Sequence, residues 1–178
     1  MKLTKQILNK IIKESLKQED YKERIVEIFK SGDREYAMEL AHDVGIAITD
    51  LFTGADLKGV KMPNINLADA NLRGTNFRGA SLWGINMDGA DLTGANLEYA
   101  NLEGCSLEGA NLTGAKLYNA NVQGADFSNA NLTGADLDWV NMHVAMINKK
   151  TILPLGYKIP KRGSVEADFM DMANRDDP

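Results

Sequence analysis

One cysteine, Cys105, and two histidines, His42 and His143, are the side chains from which this chain could assemble a nucleophile and a base. Covalent catalysis needs the two within hydrogen-bond reach, with the base oriented by a third group. The placement argues against it. His42 falls in a helix-patterned segment beside Asp43 and reads as an exposed helical histidine. His143 has no carboxylate at a fixed spacing. Cys105 stands where neighbouring segments carry alanine, so it reads as a small buried hydrophobe with an inert thiol. One cysteine and two distant histidines cannot build a structural zinc site. Acid pairs such as Asp88 and Glu108 recur along the chain, but they are expected in water with nothing to raise either pKa. The glycines fall every five residues and not as a phosphate-binding loop. The expectation is therefore a protein with no catalytic residue, no cofactor site and no metal site.

What positions these residues is a five-residue beat from Ala55 to about Lys149. It is clearest in Ala90-Asp-Leu-Thr-Gly, Ala95-Asn-Leu-Glu-Tyr and Ala100-Asn-Leu-Glu-Gly. The unit centres run without insertion from Leu57, Met62, Leu67, Leu72 and Phe77 to Leu137, Met142 and Ile147. Two residues before each centre sits alanine or another small or β-branched residue. One before is usually Asn, Asp or Ser, and two after is mostly Gly. Helical and strand periods of about 3.6 and 2 both fail this pattern. A straight strand would flip its inward face, and a helix would smear the leucine stripe and carry frequent glycines. A chain that turns a corner every five residues satisfies it, and four corners close a square coil of 20 residues. Gly, Asn and Asp tolerate the tight-turn backbone angles that the corners need.

These residues resemble the pentapeptide-repeat family, whose pattern is A(D/N)LXX. The resemblance covers residues 55–149 and implies a mainly β solenoid, a right-handed quadrilateral β-helix. At about 4.8 Å per stacked strand, the rod would be roughly 23 Å long. Thr151-Ile-Leu-Pro-Leu-Gly-Tyr157 is similar to a tail often found after such repeats, and residues 150–178 are expected to cap the last coil and end in a polar tail.

Residues 1–54 read as short helices that cap the other end. Leu8, Ile11, Ile12 and Leu16 form one apolar set at helical spacing; Tyr21, Ile25, Ile28 and Phe29 form a second. Ser31-Gly32-Asp33 separates the second from a third set, Tyr36, Ala37, Leu40, Ala41 and Val44, which Gly45 ends. The chain carries 20 basic and 25 acidic residues, net −5, which argues against a general nucleic-acid or anionic-membrane binder. A lone cysteine leaves no intramolecular disulfide. No apolar run approaches the roughly 20 residues that span a bilayer, and the N-terminus lacks a signal-peptide core, so a cytoplasmic location is expected.

A coil of 20 residues stacks outward positions in columns. Asp69, Asp88, Glu108 and Asp126 share one face with a single late base, Lys149, for a net −3. Trp83 is the large aromatic expected to point outward from mid-rod, either packed against the N-terminal helices or acting as a contact anchor. Tyr99 and Tyr118 share a face with Arg78 and Lys116. Trp139 and Tyr157 are expected to pack together in the C-terminal cap. The reading is a non-enzymatic rod for binding or scaffolding, with a protein partner, no direct nucleic-acid or membrane binding, and coil ends through which copies could associate. The alternative rests on family members from quinolone-resistance systems, which resemble DNA and bind type II topoisomerases. It would make this chain a gyrase modulator by partial DNA mimicry. Charge density weighs against it, because B-DNA carries one charge per about 1.7 Å of axis and a rod this long would need over a dozen.

Overall fold

The computed structural model describes residues 18–62 and 65–159. The apolar set Leu8 to Leu16, Pro63, and the polar stretch from Ser164 to Pro178 lie outside the described residues.

The N-terminal region is helical. Helix α1 spans Gln18–Lys30 and buries Tyr21, Ile25, Val26 and Phe29, with Ile28 half-buried. Gly32, at φ +101°, ends it. Helix α2 spans Arg34–Asp43, and the Asp33 carboxylate caps it by accepting from the Tyr36 amide at 3.3 Å. Its other end closes with two crossed bonds, Ile46 N–H to Ala41 C=O at 2.9 Å and Gly45 N–H to His42 C=O at 3.1 Å. Gly45 takes φ +75°, the left-handed residue that such a C-terminal lock requires. Helix α3, Ile48–Leu51, is a single turn that the apolar periodicity does not announce.

From Asp56 onward the chain is a coil with 20 residues per turn. Parallel bridges join Asp56 to Asn76, Asn76 to Asn96, Asn96 to Lys116 and Lys116 to Asp136 on one face, and three other series run up the remaining faces. Each five-residue side contributes one bridging residue to its rung, so the ladder is built of single bridges in place of long strands. The turn after each centre explains why. In the unit centred on Leu92, Ala95 N–H bonds back to Leu92 C=O at 2.9 Å across Gly94, which sits at φ +66°.

The polar residue before each centre has a specific task. Leu92 and Gly94 donate their amides to Asn111 and Thr113 on the coil above, and Asp91 donates to Ala70 below. Ala95 closes the turn. The one amide left, on Thr93, bonds to the Asp91 carboxylate at 3.0 Å. The same bond recurs from Arg78 to Asn76, Glu98 to Asn96, Glu103 to Asn101 and Ser128 to Asp126. Asn and Asp dominate this position because the following N–H has no backbone acceptor and a buried or half-buried donor must find one.

Centres and small residues fill a dry axis. Every centre from Leu57 to Met142 is buried, as are the alanines from Ala70 to Ala135 and Thr75 and Cys105 in alanine places. Each buried Leu, Phe or Met contributes about 1.5–3 kcal/mol by leaving water. The beat weakens after Val140. Met142–Val144 forms a 3-10 turn, and Gly124 N–H bonds Val144 C=O at 2.9 Å, one residue beyond the regular acceptor. Met146 returns to register opposite Asp126, and then Asn131 pairs with Ile152, a slip of one residue. Ile147, expected as a core centre, is only half-buried. Asn148 takes up the extra residue by accepting from Lys150 N–H at 2.9 Å and Thr151 N–H at 3.2 Å. The ladder thus runs past residue 149 into the segment that the sequence assigns to the tail.

Both ends are covered by side chains that reach the open coil. At the N-terminal end Phe29 and Phe52 meet edge to face at 5.1 Å, Lys22 donates to Thr53 C=O at 2.8 Å, and the Arg34 guanidinium donates to Lys61 C=O. Thr75 Oγ1 donates to Phe52 C=O at 2.6 Å, tying cap to coil from inside the core. At the other end Leu153, Tyr157 and Ile159 pack half-buried on the core, and the Tyr157 hydroxyl donates to Val140 C=O at 3.3 Å.

Candidate interaction faces

The acidic face is less free than its charge count implies. Asp69, Asp88, Glu108 and Asp126 do lie on one face. Asp88, however, accepts from the Glu108 amide at 3.0 Å and from the Ser106 hydroxyl. Ser106 occupies the position where most units carry Asn or Asp, and Asp88 from the coil below supplies the acceptor. Asp126 accepts from Ser128 N–H at 2.8 Å, and Glu108 Oε1 accepts from Asn129 Nδ2 at 2.9 Å. Asp69 occupies a corner at φ +57°, directly beneath Gly89, where an added Cβ would lie 2.4 Å from Asp69 Oδ1. Much of this charge satisfies the backbone and neighbouring side chains, which the sequence columns do not reveal.

Trp83 is 61% exposed on a neighbouring face, so it does not pack away against the helices. Tyr99 and Tyr118 do come together. Their rings meet edge to face at 5.6 Å. The Arg78 guanidinium lies 4.6 Å from the Tyr99 ring centroid and pairs with the Glu98 carboxylate. Tyr99 is 40% exposed. Its backbone is at φ +58°, and on the same face Trp139 is at φ +63°, 42% exposed. Most units place Gly there, and the other non-glycine residues held at positive φ among the described residues are Asp69, Asn119 and Asn129, residue types that tolerate this conformation. Two bulky aromatics held in the left-handed region are the signal that sequence reasoning passed over. It is legible as a large residue where the repeat calls for glycine.

The fourth face is a polar ladder. Arg73 pairs with Asp91 at 2.9 Å, Asn111 Nδ2 donates to Thr93 Oγ1 at 3.0 Å, and the Thr113 and Thr133 hydroxyls each donate to the Asn two residues before. Burial pushes the Asp91 pKa up, but bonds from Thr93 and Arg73 outweigh it and hold the carboxyl below its usual range.

A cleft of about 440 Å³ lies between α1 and the first coil, lined by Lys22, Glu23, Val26, Glu27 and residues 53–56. Burial pulls the Lys22 pKa down, partly opposed by Asp50, yet its ammonium is spent on Thr53 C=O. The lining holds neither Cys nor His. His42 projects into solvent from α2 with its side chain 91% exposed, and Cys105 is sealed in the core with Sγ 2.8 Å from Leu82 C=O. Among the described residues, no group of three His, Cys, Asp or Glu is placed to hold a metal ion, and no helix is long and apolar enough to cross a membrane.

Burial pushes the Cys105 thiol up to about 11. The folded protein should therefore resist a thiol reagent such as Ellman's reagent at pH 8 and react only as it unfolds. Because the folded pKa is raised above the ordinary 9.0, the stabilisation is whole below pH 9.0 and is lost as pH rises towards about 11. Cys105→Ala, which restores the common residue, should flatten that alkaline loss in urea melts at stepped pH.

Pentapeptide repeats, in eight copies, match residues 51–82, 70–109 and 110–143, just over half of the chain. The chain belongs to the pentapeptide repeat family. Among solved structures it is similar to HetL from Nostoc sp. strain PCC 7120, a pentapeptide repeat protein involved in heterocyst differentiation regulation. Identity there is 35% over 57% of this chain and 56% of HetL, with a TM-score of 0.34. Rfr23 from the cyanobacterium Cyanothece 51142 matches at 27% identity over 57% of this chain and 89% of its own, TM-score 0.29. QnrB1, a plasmid-mediated fluoroquinolone resistance protein, matches at 16% identity over 57% of each chain, TM-score 0.40. This chain thus spans a little over half the length of HetL and of QnrB1. No curated protein matches it.

Proposed function

We propose that this chain is a non-enzymatic interaction module, a rigid rod that offers exposed aromatic side chains to a protein partner. Its coil is right-handed, the sense that family membership implies. The observation that carries the reading is the placement of Tyr99 and Trp139 at φ +58° and +63°. Each position costs on the order of 1–2 kcal/mol relative to glycine, and such strain concentrates where a side chain is needed for recognition. Arg78 and Tyr118 hold the Tyr99 ring in one place, so little rotamer freedom is lost when a partner docks. Trp83 extends the aromatic surface around the rod.

Tyr99→Gly tests this. Glycine relieves the backbone while removing the ring, so the fold should melt within about 1 kcal/mol of the parent. Capture of a partner from the native host should fall at least about tenfold, as loss of an aromatic anchor does. Equal capture by the parent and by a variant lacking the Tyr99, Tyr118, Trp83 and Trp139 rings would end the proposal. The second reading, gyrase modulation by partial DNA mimicry in a cytoplasmic setting, draws on the four acids that share a face. A supercoiling assay in which micromolar protein neither inhibits nor protects gyrase would sink it.

A further inference from the structure

The face that carries Tyr99 is complementary to itself when turned end for end. Its outer column reads Lys58, Arg78, Glu98, Tyr118, Asp138 up successive coils, set by the bridges that link Asp56, Asn76, Asn96, Lys116 and Asp136 beside it. The corner column reads Gly59, Gly79, Tyr99, Asn119, Trp139. Charge and relief both reverse from one end to the other. Lys58 and Asp138 are exposed, and neither makes an ion pair within the described residues. Bases and acids nearly balance on this face, whereas the face with Asp69, Asp88, Glu108 and Asp126 is strongly acidic.

We infer that a second copy of this chain docks antiparallel on this face, about a two-fold axis through the Glu98–Tyr99 rung. The inference rests on the interaction-module reading and names its partner. The axis sets Lys58 against Asp138 of the second copy, twice by symmetry. It brings Arg78 to the Tyr118 ring of the second copy, Trp139 over the bare Gly59 corner and Tyr99 beside its own mate. The glycine end, open where an added Cβ would meet nothing within 4 Å, accepts the bulky end. Two approaches oppose the pairing. Glu98 meets Glu98, each already neutralised by Arg78, and Asp56 meets Asp136, with Asp56 held by Asn76 Nδ2 at 2.8 Å.

Size limits its strength. Four rung spacings of about 4.8 Å make a face about 19 Å tall and roughly 13 Å wide. Two such faces bury well under the 1,200 Å² or so of a durable interface, so the pair forms and parts in solution with a dissociation constant of a few hundred micromolar, on the order of 10⁻⁴ M.

Sedimentation velocity over a hundredfold concentration range reaching about 1 mM reads the pairing directly. The parent should shift from monomer towards dimer, less so in high salt. Lys58→Glu and Asp138→Lys should each weaken dimerisation about tenfold or more, with unchanged circular dichroism. An equimolar mixture of the two single variants should dimerise again, because only the mixed pair restores opposite charges at both contacts. A parent that stays monomeric at 1 mM, a dimer indifferent to both variants (as one joined through the coil ends would be), or a mixture that does not recover overturns the inference. If Tyr99→Gly abolishes capture of a different protein while self-association is absent, the module reading stands and the pairing falls.

Discussion

Leu107→Ala is expected to lower the free energy of unfolding by about 2–5 kcal/mol, measured by urea denaturation followed by circular dichroism. Leu107 has no solvent exposure and occupies the axis at mid-rod, in the column of Leu67, Met87 and Phe127. Removing its side chain leaves a hole that the hydrogen-bonded coils above and below cannot collapse to fill. The backbone there is pinned by Leu107 N–H to Asp126 C=O at 2.8 Å and Met87 N–H to Ser106 C=O at 2.8 Å. Leu107→Lys should go further and prevent folding, because an ammonium on this axis has no water and no acceptor. Thr113→Ala, on the exposed polar ladder, is the control and should change stability by less than about 1 kcal/mol. A Leu107→Lys protein that melts like the parent would refute the dry axis.

Phe52→Ala should cost about 3–5 kcal/mol, but with a different spatial signature. Phe52 is fully buried where the helical cap meets the first coil, its ring edge-on to Phe29 and its carbonyl bonded by Thr75 Oγ1. Its truncation loosens α1 and α2 from the rod. In a solenoid each coil depends on its neighbours, so the damage should enter from that end. Native-state hydrogen exchange should quicken first at Leu57 and Gly59, which bond to Asn76 and Arg78, while Leu107 stays protected. Uniform loss of protection along the coil would show that the cap and rod melt as one unit.

Much of the rod was legible because its rule is local. Centre, small residue, Asx and glycine each answer to a demand met within five residues or one coil, so periodicity alone finds them. The breaks were less legible. The Ile147 unit keeps its apolar centre and its small residue, Ala145, with Met146 and Lys149 in the Asx and glycine places, and a one-residue slip before Ile152 leaves Ile147 half-buried. Those departures do not by themselves place the slip, since Lys61 and Lys116 also replace Asx in units that stay in register. Helix α3 is too short for a periodic signal.

The candidate surfaces divide the same way. Sequence columns put Asp69, Asp88, Glu108 and Asp126 on one face and Tyr99 with Tyr118 and Arg78 on another, and the rung register agrees. Columns cannot say which groups are already engaged. Asp88 spends its carboxylate on the Glu108 amide because Ser106 is one atom too poor to do so. Glu98 is spent on Arg78, and Arg78 on the Tyr99 ring.

From the chain alone came the 20-residue coil and its inward leucines, because backbone turns and apolar burial repeat with the residues that cause them. Tertiary structure decided which charges are free, which aromatics are exposed and where the register slips. Those depend on contacts between residues 20 or more apart, whose outcome is a competition among side chains that no single five-residue unit contains.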